Sequence, residues 1–579
     1  MARPVSNVVK TSLVHAKQKN GDIYVLERKT IYDPEKHYTK SLGTRLIGKI
    51  PFGQTEMVPT RPRKKKTEVE GAKEKVTASR KRAGLTDILK WIGQASGIDE
   101  DLSNSGDQGS VQKALTLAQY FFATEGQTLP HLEKWQFTHE TPYANGMSES
   151  TCSRLFEELG RNENVMQNFF KQRAGRLDQS PSIAYDSTTV STYSSNQIDA
   201  RQGFNKAGDG LNTIKLLTLY SVDTHQPIAF TKQPGNLPDV TSVKNALKEL
   251  TFLDLKNPLI VTDNGYYSQG NIADFSRSHT KFLTLGSIDN NWIHRELEIH
   301  REELETASSI CPWDLTIHGI TVPVEHEIEW VRKRNRLSAK KGELTQETHR
   351  YYLHFFLNRE NVARDEHRLM ATIMELRNLL LAGEELTDSA RKKADKYLIT
   401  HRKGRGGLLH VDFNEEAIRE ARKDYGYFVL VSNKAMDAFE ALKTYRLREK
   451  IEEAFKVQKD RLDGTRTRVW YSDNLRGRLF VQFIALGYYC FFQNKINELK
   501  ATLGTPNGDP DHDKKGNLDK ELGLKRWLEQ RSIAQILDWF DCYEDTRIST
   551  PMATIRWKTE NTERDRLFLA KLGVLSELA

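Results

Sequence analysis

Apolar and polar residues alternate in parts of residues 1–60, as in "GDIYVLERKTIY" and "SLGTRLIGKIPF". A period of two marks strands with one covered face, so this stretch predicts a small antiparallel β module. From about 85 to 178 the apolar positions take helical spacing, in "LTDILKWIGQAS", "VQKALTLAQYFFATEG" and "SESTCSRLFEELG". The last of these opens with Ser148 as N-cap and leaves Thr151 and Arg154 on its outer side. Two short helices joined by a turn can form a helix-turn-helix that reads DNA; more commonly they are plain bundle packing.

At 182 the period returns to strands. "SIAYDSTTVSTY", "NTIKLLTLYSVD" and "QPIAFTKQPG" are followed by a helix, "DVTSVKNALKEL", and a short apolar run, "NPLIVTDNGYYS". A second helix, "QGNIADFSRSH", leads to the strand "KFLTLG". The order β-β-β-α-β-α-β predicts three antiparallel strands and then parallel crossovers, as an RNase-H-like mixed sheet requires. Residues 287–423 interrupt this scheme with strand-like "ITVPVEHEIEWVRKR" and "HRYYLHFFLNRE", a charged helix at 361–381 and glycine-rich "HRKGRGGLLH". Strand-like "YGYFVLVSN" and two helices, at 445–459 and 474–499, resume the core. The fold class is therefore multidomain α/β. Its expected parts are a β module (1–60), a basic linker (61–84) and a helical, DNA-binding region (85–178). A catalytic core (179–286 and 424–500), an insertion (287–423) and a C-terminal helical region serving dimerisation (501–579) complete it.

Composition narrows the class. The chain has 579 residues, too many for one core. Mean hydropathy is −0.63. The longest apolar run, "LFVQFIALGYYCFF", contains Gln482 and is too short to span a bilayer, so it reads as a buried helix and no membrane is expected. The start, "MARPVSNVVKTS", lacks the apolar segment of a secretory signal. Four dispersed cysteines argue against a disulfide framework and for a reducing cytoplasm. The net charge is +8, and residues 61–84 alone hold ten Lys/Arg against three Glu. Such a run is a solvated linker or one that touches polyanions.

The chemistry gathers on carboxylates. Asp186 lies within the first core strand, and Asp263 at the carboxyl end of the fourth, before a turn with Gly265. The expected sheet puts these strands side by side, and ligands bind at the carboxyl edge of such sheets. Facing carboxylates repel unless a proton or cation lies between them. Hard oxygen donors favour Mg²⁺ or Mn²⁺. In "YRLREKIEEAFKVQK" (445–459), a helical wheel gathers Tyr445, Arg448, Glu452 and Lys459 into an arc of roughly 60°, opposite Leu447, Ile451, Ala454 and Phe455. Taken alone, this is a surface helix with an Arg448–Glu452 pair. With Glu452 as a third carboxylate, it completes a two-metal site for attack at phosphorus.

The spacing Tyr445-x2-Arg448-x3-Glu452-x6-Lys459 resembles the Y-R-E-K signature of a group of bacterial insertion-sequence transposases. "YDSTT" around Asp186 and "TDNGYY" around Asp263 are similar to the first two motifs of the same DDE family, with Asn264 where a small residue is common. The resemblance implies an RNase-H-like catalytic core with a mostly β insertion between the second Asp and the Glu. It makes Asp186, Asp263 and Glu452 the catalytic metal ligands, with Mg²⁺ as cofactor and Mn²⁺ as substitute. It makes Tyr445, Arg448 and Lys459 contacts to phosphates. A tryptophan of the insertion would stack on a flipped base; Trp330 is the first candidate and Trp292 the second. The basic runs 332–336 and 401–405, with Arg332, Arg334, Arg402 and Arg405, suit backbone contact, and solvated loops account for them as well. The implied partners are double-stranded DNA, carrying the element's terminal inverted repeats or the target, and a second copy of the chain in a synaptic dimer. The implied place is a bacterial nucleoid. A metal-dependent nuclease of the same fold and a non-catalytic DNA-binding regulator stand beside this reading; the regulator predicts a lost carboxylate. "DPDHDKKGNLDK" (509–520) imitates a calcium loop but has Lys514 at the glycine position and Lys520 at the glutamate position, so it reads as a polar surface loop.

Overall fold

The computed structural model describes residues 9–33, 38–60, 77–203, 205, 208–331, 343–402, 409–462, 466–467, 469–550 and 553–574. Two compact units are present, Met1–Thr77 with Ser549–Thr554, and Ala78–Ile548 with Ile555–Ala579. In the first unit, β1 (Lys10–Lys17), β2 (Ile23–Asp33), β3 (Tyr38–Ile50) and β4 (Val58–Pro59) form an antiparallel sheet in sequence order. The β1–β2 turn needs Gly21, whose φ of 87° is left-handed.

Residues of the expected basic linker form a strand, β5 (Thr77–Arg82), which opens the second unit from Ala78 on. Arg80 pairs with Glu544 and Arg82 with Asp541, and Lys81 donates to the Gln136, Phe137 and His139 carbonyls. Six helices follow: α1 (Ala83–Ala95), α2 (Ile98–Ser103), α3 (Gln108–Ala123), α4 (Leu132–Thr138), α5 (Glu149–Arg161) and α6 (Glu163–Gly175). Ser148 caps α5 by accepting the Thr151 amide at 3.4 Å.

The central sheet is built from β6 (Ser182–Thr192), β7 (Asn212–Ser221) and β8 (Gln226–Pro234), then α7 (Asp239–Phe252), β9 (Leu259–Thr262), α8 (Gln269–Arg277) and β10 (Lys281–Gly286). β6, β7 and β8 are antiparallel neighbours, while β9 runs parallel to both β6 and β10. The first core strand thus lies beside the fourth, as the element order predicts. "LIVT" of β9 is buried throughout, consistent with a strand covered on both faces.

The insertion joins this sheet. After α9 (Asn291–Leu304) come β11 (Ile310–Cys311), β12 (Asp314–Val331) and β13 (Leu344–Asn358). The next elements are α10 (Arg359–Ala382), α11 (Asp388–Tyr397), a hairpin of β14 (Leu398–Arg402) and β15 (Leu409–Phe413), α12 (Glu415–Arg422) and β16 (Tyr427–Ser432). β16 pairs with β10 and β13, so the sheet runs β11-β12-β13-β16-β10-β9-β6-β7-β8. The inserted residues therefore hold more helix than the mostly β insertion expected. α10, α11 and α12 have a small core of their own around Ile373, Leu376, Ala394 and Ile418. β12 and β13 continue past β16 as a two-stranded ribbon, from Val324↔Tyr351 to Val331↔Leu344.

α13 (Ala438–Leu447) covers one face of the sheet through Ala438, Ala441 and Leu442, against Val261, Leu283 and Leu430. After it come α14 (Glu449–Asp460), β17 (Arg466–Thr467) and α15 (Ser472–Thr502). α15 shares the larger core with α1–α6 and the other face. Gln482, the polar residue of its apolar run, is buried and donates to the Leu462 carbonyl at 2.6 Å. α5 and α15 cross at two glycines: a Cβ on Gly160 would overlap the Asp473 carbonyl, and one on Gly477 the Phe156 carbonyl. The chain ends with α16 (Lys515–Glu529), α17 (Ile533–Asp541), β18 (Glu544–Ser549), β19 (Thr554–Lys558) and α18 (Glu563–Leu572); β18 lies between β19 and β5. No described helix is long and apolar enough to cross a membrane.

Candidate active site

Asp186 sits on β6 opposite Thr218 of β7, and its Oδ1 accepts the Ser187 amide at 2.7 Å. Asp263 follows β9 directly and caps a short 3-10 turn, accepting the Asn264 amide at 2.8 Å. Because β6 and β9 are parallel neighbours, with Ala184 level with Val261, both carboxylates stand at one edge of the sheet.

The segment 445–459 is two helices rather than the single one its wheel implies. α13 ends at Leu447, α14 begins at Glu449, and Arg448 forms the joint with φ −57° and ψ −29°. At this joint the Arg448 side chain faces inward. Its guanidinium lies 2.9 Å from Glu452, 3.5 Å from Asp186 and 4.0 Å from Asp263. The Arg448 side chain is 7% exposed. Burial works against its charge, but the Tyr445 phenol and the three carboxylates outweigh that, and its pKa lies above the ordinary arginine value. Its Nε is buried and has no hydrogen-bond partner among the described residues. The Tyr445 hydroxyl donates to Asp263 Oδ1 at 3.1 Å; burial first, and then the Asp263 charge, push the phenol's pKa up. Tyr445 thus touches a carboxylate, a role the signature alone does not disclose.

The oxygens of Asp186, Asp263 and Glu452 do not all approach within 4.8 Å of one another. A cationic side chain lies among them instead. An all-oxygen donor set that draws in a guanidinium fits a hard divalent cation. Lys459 lies two helical turns beyond Glu452 on α14, roughly 10 Å along the axis, and is half-buried.

The sequence does not single out Asp239, at the first turn of α7. Its Oδ1 receives hydrogen bonds from Ser187 Oγ at 2.8 Å and Lys215 Nζ at 2.7 Å. Ser187 follows Asp186 and so points to the opposite face of β6. This network braces the strand behind Asp186. The only hint in the sequence is an Asp after Pro238 at a helix start.

The two tryptophan candidates lie in different parts of the insertion. Trp292 is on α9 and stacks on His326 with ring centroids 4.1 Å apart. Trp330 pairs with Thr345 near the end of the ribbon. Following the register through β10, β16 and β13, the level of Asp263 meets β12 near Thr321. Trp330 is about nine residues further on, roughly 30 Å toward the opposite edge. The ribbon's direction therefore carries it away from this chain's own carboxylates. Arg402 ends β14; Arg332, Arg334 and Arg405 lie outside the described residues.

Two other clusters are occupied by ion pairs. His294, Glu298 and Asp424 converge, yet Arg301 reaches both acids and Lys423 reaches Glu298 at 3.0 Å. In the calcium-like loop, Lys514 pairs with Asp511 at 2.6 Å and a helix starts at Lys515.

The family model described as "Transposase DDE domain" matches residues 178–487, more than half of the chain. The chain belongs to this family. It is a DNA transposase, an enzyme of the DDE class, and the family depends on divalent metal. The match spans both aspartates, the insertion, Glu452 and most of α15. No curated protein matches this transposase. Among solved structures, a piggyBac transposase synaptic complex with hairpin DNA, seen by cryo-EM, shares 9% identity with it, covering 79% of this chain and 81% of that one with a TM-score of 0.33.

Proposed function

We propose that this transposase moves its element by cut-and-paste, with Asp186, Asp263 and Glu452 as the catalytic carboxylates and Mg²⁺ as the ion, Mn²⁺ substituting. The observation that carries the reading is the meeting of Asp186, Asp263 and Glu452 around one buried guanidinium at the sheet's carboxyl edge. A divalent ion held there supplies activation of the attacking oxygen and neutralises charge at phosphorus. The chain's own residues do the rest. Tyr445 holds Asp263 in place through its hydroxyl. Arg448, displaced from the carboxylates, presents its fork to a phosphate, where two N–H donors match two oxygens. Lys459 adds a point charge along the same helix. Water attacks the phosphodiester at the element end, leaving a 3′-OH and a 5′-phosphate; the 3′-OH then attacks a second phosphodiester and expels its 3′-oxygen.

The Y-R-E-K spacing supports membership of the bacterial insertion-sequence group, with terminal inverted repeats as the DNA read. On this reading residues 85–178 help to read the ends, and 501–579 support a synaptic dimer. The test is product analysis with the purified chain, labelled duplex carrying the element's ends, and Mg²⁺. Nicking followed by joined products is expected. Cutting without joining would make the protein a nuclease, and binding without cutting would make it a regulator.

A further inference from the structure

Beyond the carboxylates the sheet does not stop evenly. β9 pairs with β6 only as far as Ala184↔Val261, whereas β6 and β7 stay paired to Thr192↔Asn212. The overshoot from Asp186 to Thr192 is about six residues, or roughly 20 Å. It forms a wall beside the site. β17 pairs with β6 at the far end, Arg466↔Ser191 and Thr467↔Thr192, so the chain leaving α14 returns to the same rim.

That rim is aromatic and exposed. Tyr193 is 62% exposed, Trp470 59% and Tyr471 67%, with Ile198 beside them at 72%. They are fixed rather than trailing: Ser194 Oγ donates to the Trp470 carbonyl and Gln197 Nε2 to the Val469 carbonyl, each at 2.9 Å. Ile198 and Tyr471 line a cleft of about 500 Å³ between α5 and the start of α15. Arg154, next to cleft-lining Ser153, and Arg201, which bridges to Thr213 across from Ser191, are exposed. Neither meets a carboxylate among the described residues. Single exposed apolar residues need no explanation, but large rings gathered on a held rim with unmatched arginines do.

We propose that Tyr193, Trp470 and Tyr471 are a stacking platform for unpaired bases of the DNA strand leading away from the carboxylates, with Arg154 and Arg201 on its phosphates. A duplex offers such rings only base edges, whereas an unpaired base offers its face. At 3.4 Å per base pair, the platform meets DNA about six positions from the reacting phosphate. The inference takes DNA as substrate from the reading above and adds where a separated strand goes.

The test reads binding, not cleavage, so it is independent of the catalytic assignment. Fluorescence anisotropy of the full chain is measured with a labelled duplex bearing a single-stranded tail of about a dozen thymidines, and with the same duplex blunt. Wild type is expected to prefer the tailed DNA about tenfold. Trp470→Ala with Tyr471→Ala should erase that preference and leave blunt affinity unchanged; Trp470→Phe with Tyr471→Phe should restore it. No tail preference in wild type, a preference that survives the alanines, or an equal loss on both DNAs would overturn the platform.

Discussion

Arg448 is the residue on which the site turns. Its guanidinium, 2.9–4.0 Å from three carboxylates, cancels their mutual repulsion, the service that the proposed reading asks of a divalent ion. On the proposed reading the same side chain also meets a phosphate, which requires ion and DNA to draw it out. Arg448→Ala removes the competitor. In the DNA-free protein, calorimetric titration should show Mn²⁺ binding about tenfold more tightly than in wild type. Affinity for DNA should fall at the same time, because a phosphate contact is lost. Unchanged or weaker Mn²⁺ binding by the variant would show that Arg448 does not hold the metal's place. At this scale the sequence is legible in part. Asp186 and Asp263 stand out by their place on strands, and Glu452 by the signature. The bond from Tyr445 to Asp263 is not visible, because it depends on a tertiary approach across 182 positions. The place of Trp330 on the ribbon is not visible either, because it is set by strand register.

Among the elements, the strands and helices of the core follow their periods closely, since each buries a face that the period records. Three departures have physical causes. The segment 445–459 keeps one helical period yet breaks at Arg448, where the carboxylates pull a charged side chain inward. Residues 359–397 form helices that build their own core. The basic stretch 77–82 becomes a strand because it pairs with β18, distant in sequence, while acids meet Arg80 and Arg82. The crossing of α5 and α15 rests on Gly160 and Gly477, which let two backbones touch. Gly477→Ala should cost about 2–3 kcal/mol in denaturant unfolding, because the Phe156 carbonyl cannot retreat as a flexible side chain would. A change under about 0.5 kcal/mol would mean that the helices part easily.

For the molecule as a whole, one arrangement follows. A sheet broadened by its insertion brings two aspartates to one edge, α13 and α14 deliver Tyr445, Arg448 and Glu452 to them, and β6 and β7 rise beside the site to an aromatic rim. The element order foretells the sheet but not the overshoot or the ribbon, since strand lengths in long-range pairings are set by partners far away in sequence. The measurement that bears most directly on the catalytic assignment is end cleavage with Mg²⁺ by wild type, Asp186→Asn, Asp263→Asn and Glu452→Gln, with DNA affinity measured on the same preparations. Each variant is expected to lose roughly a thousandfold in rate while its affinity stays within a few fold. Cleavage at near wild-type rate by any one of them would remove that residue from the catalytic set and contradict the account.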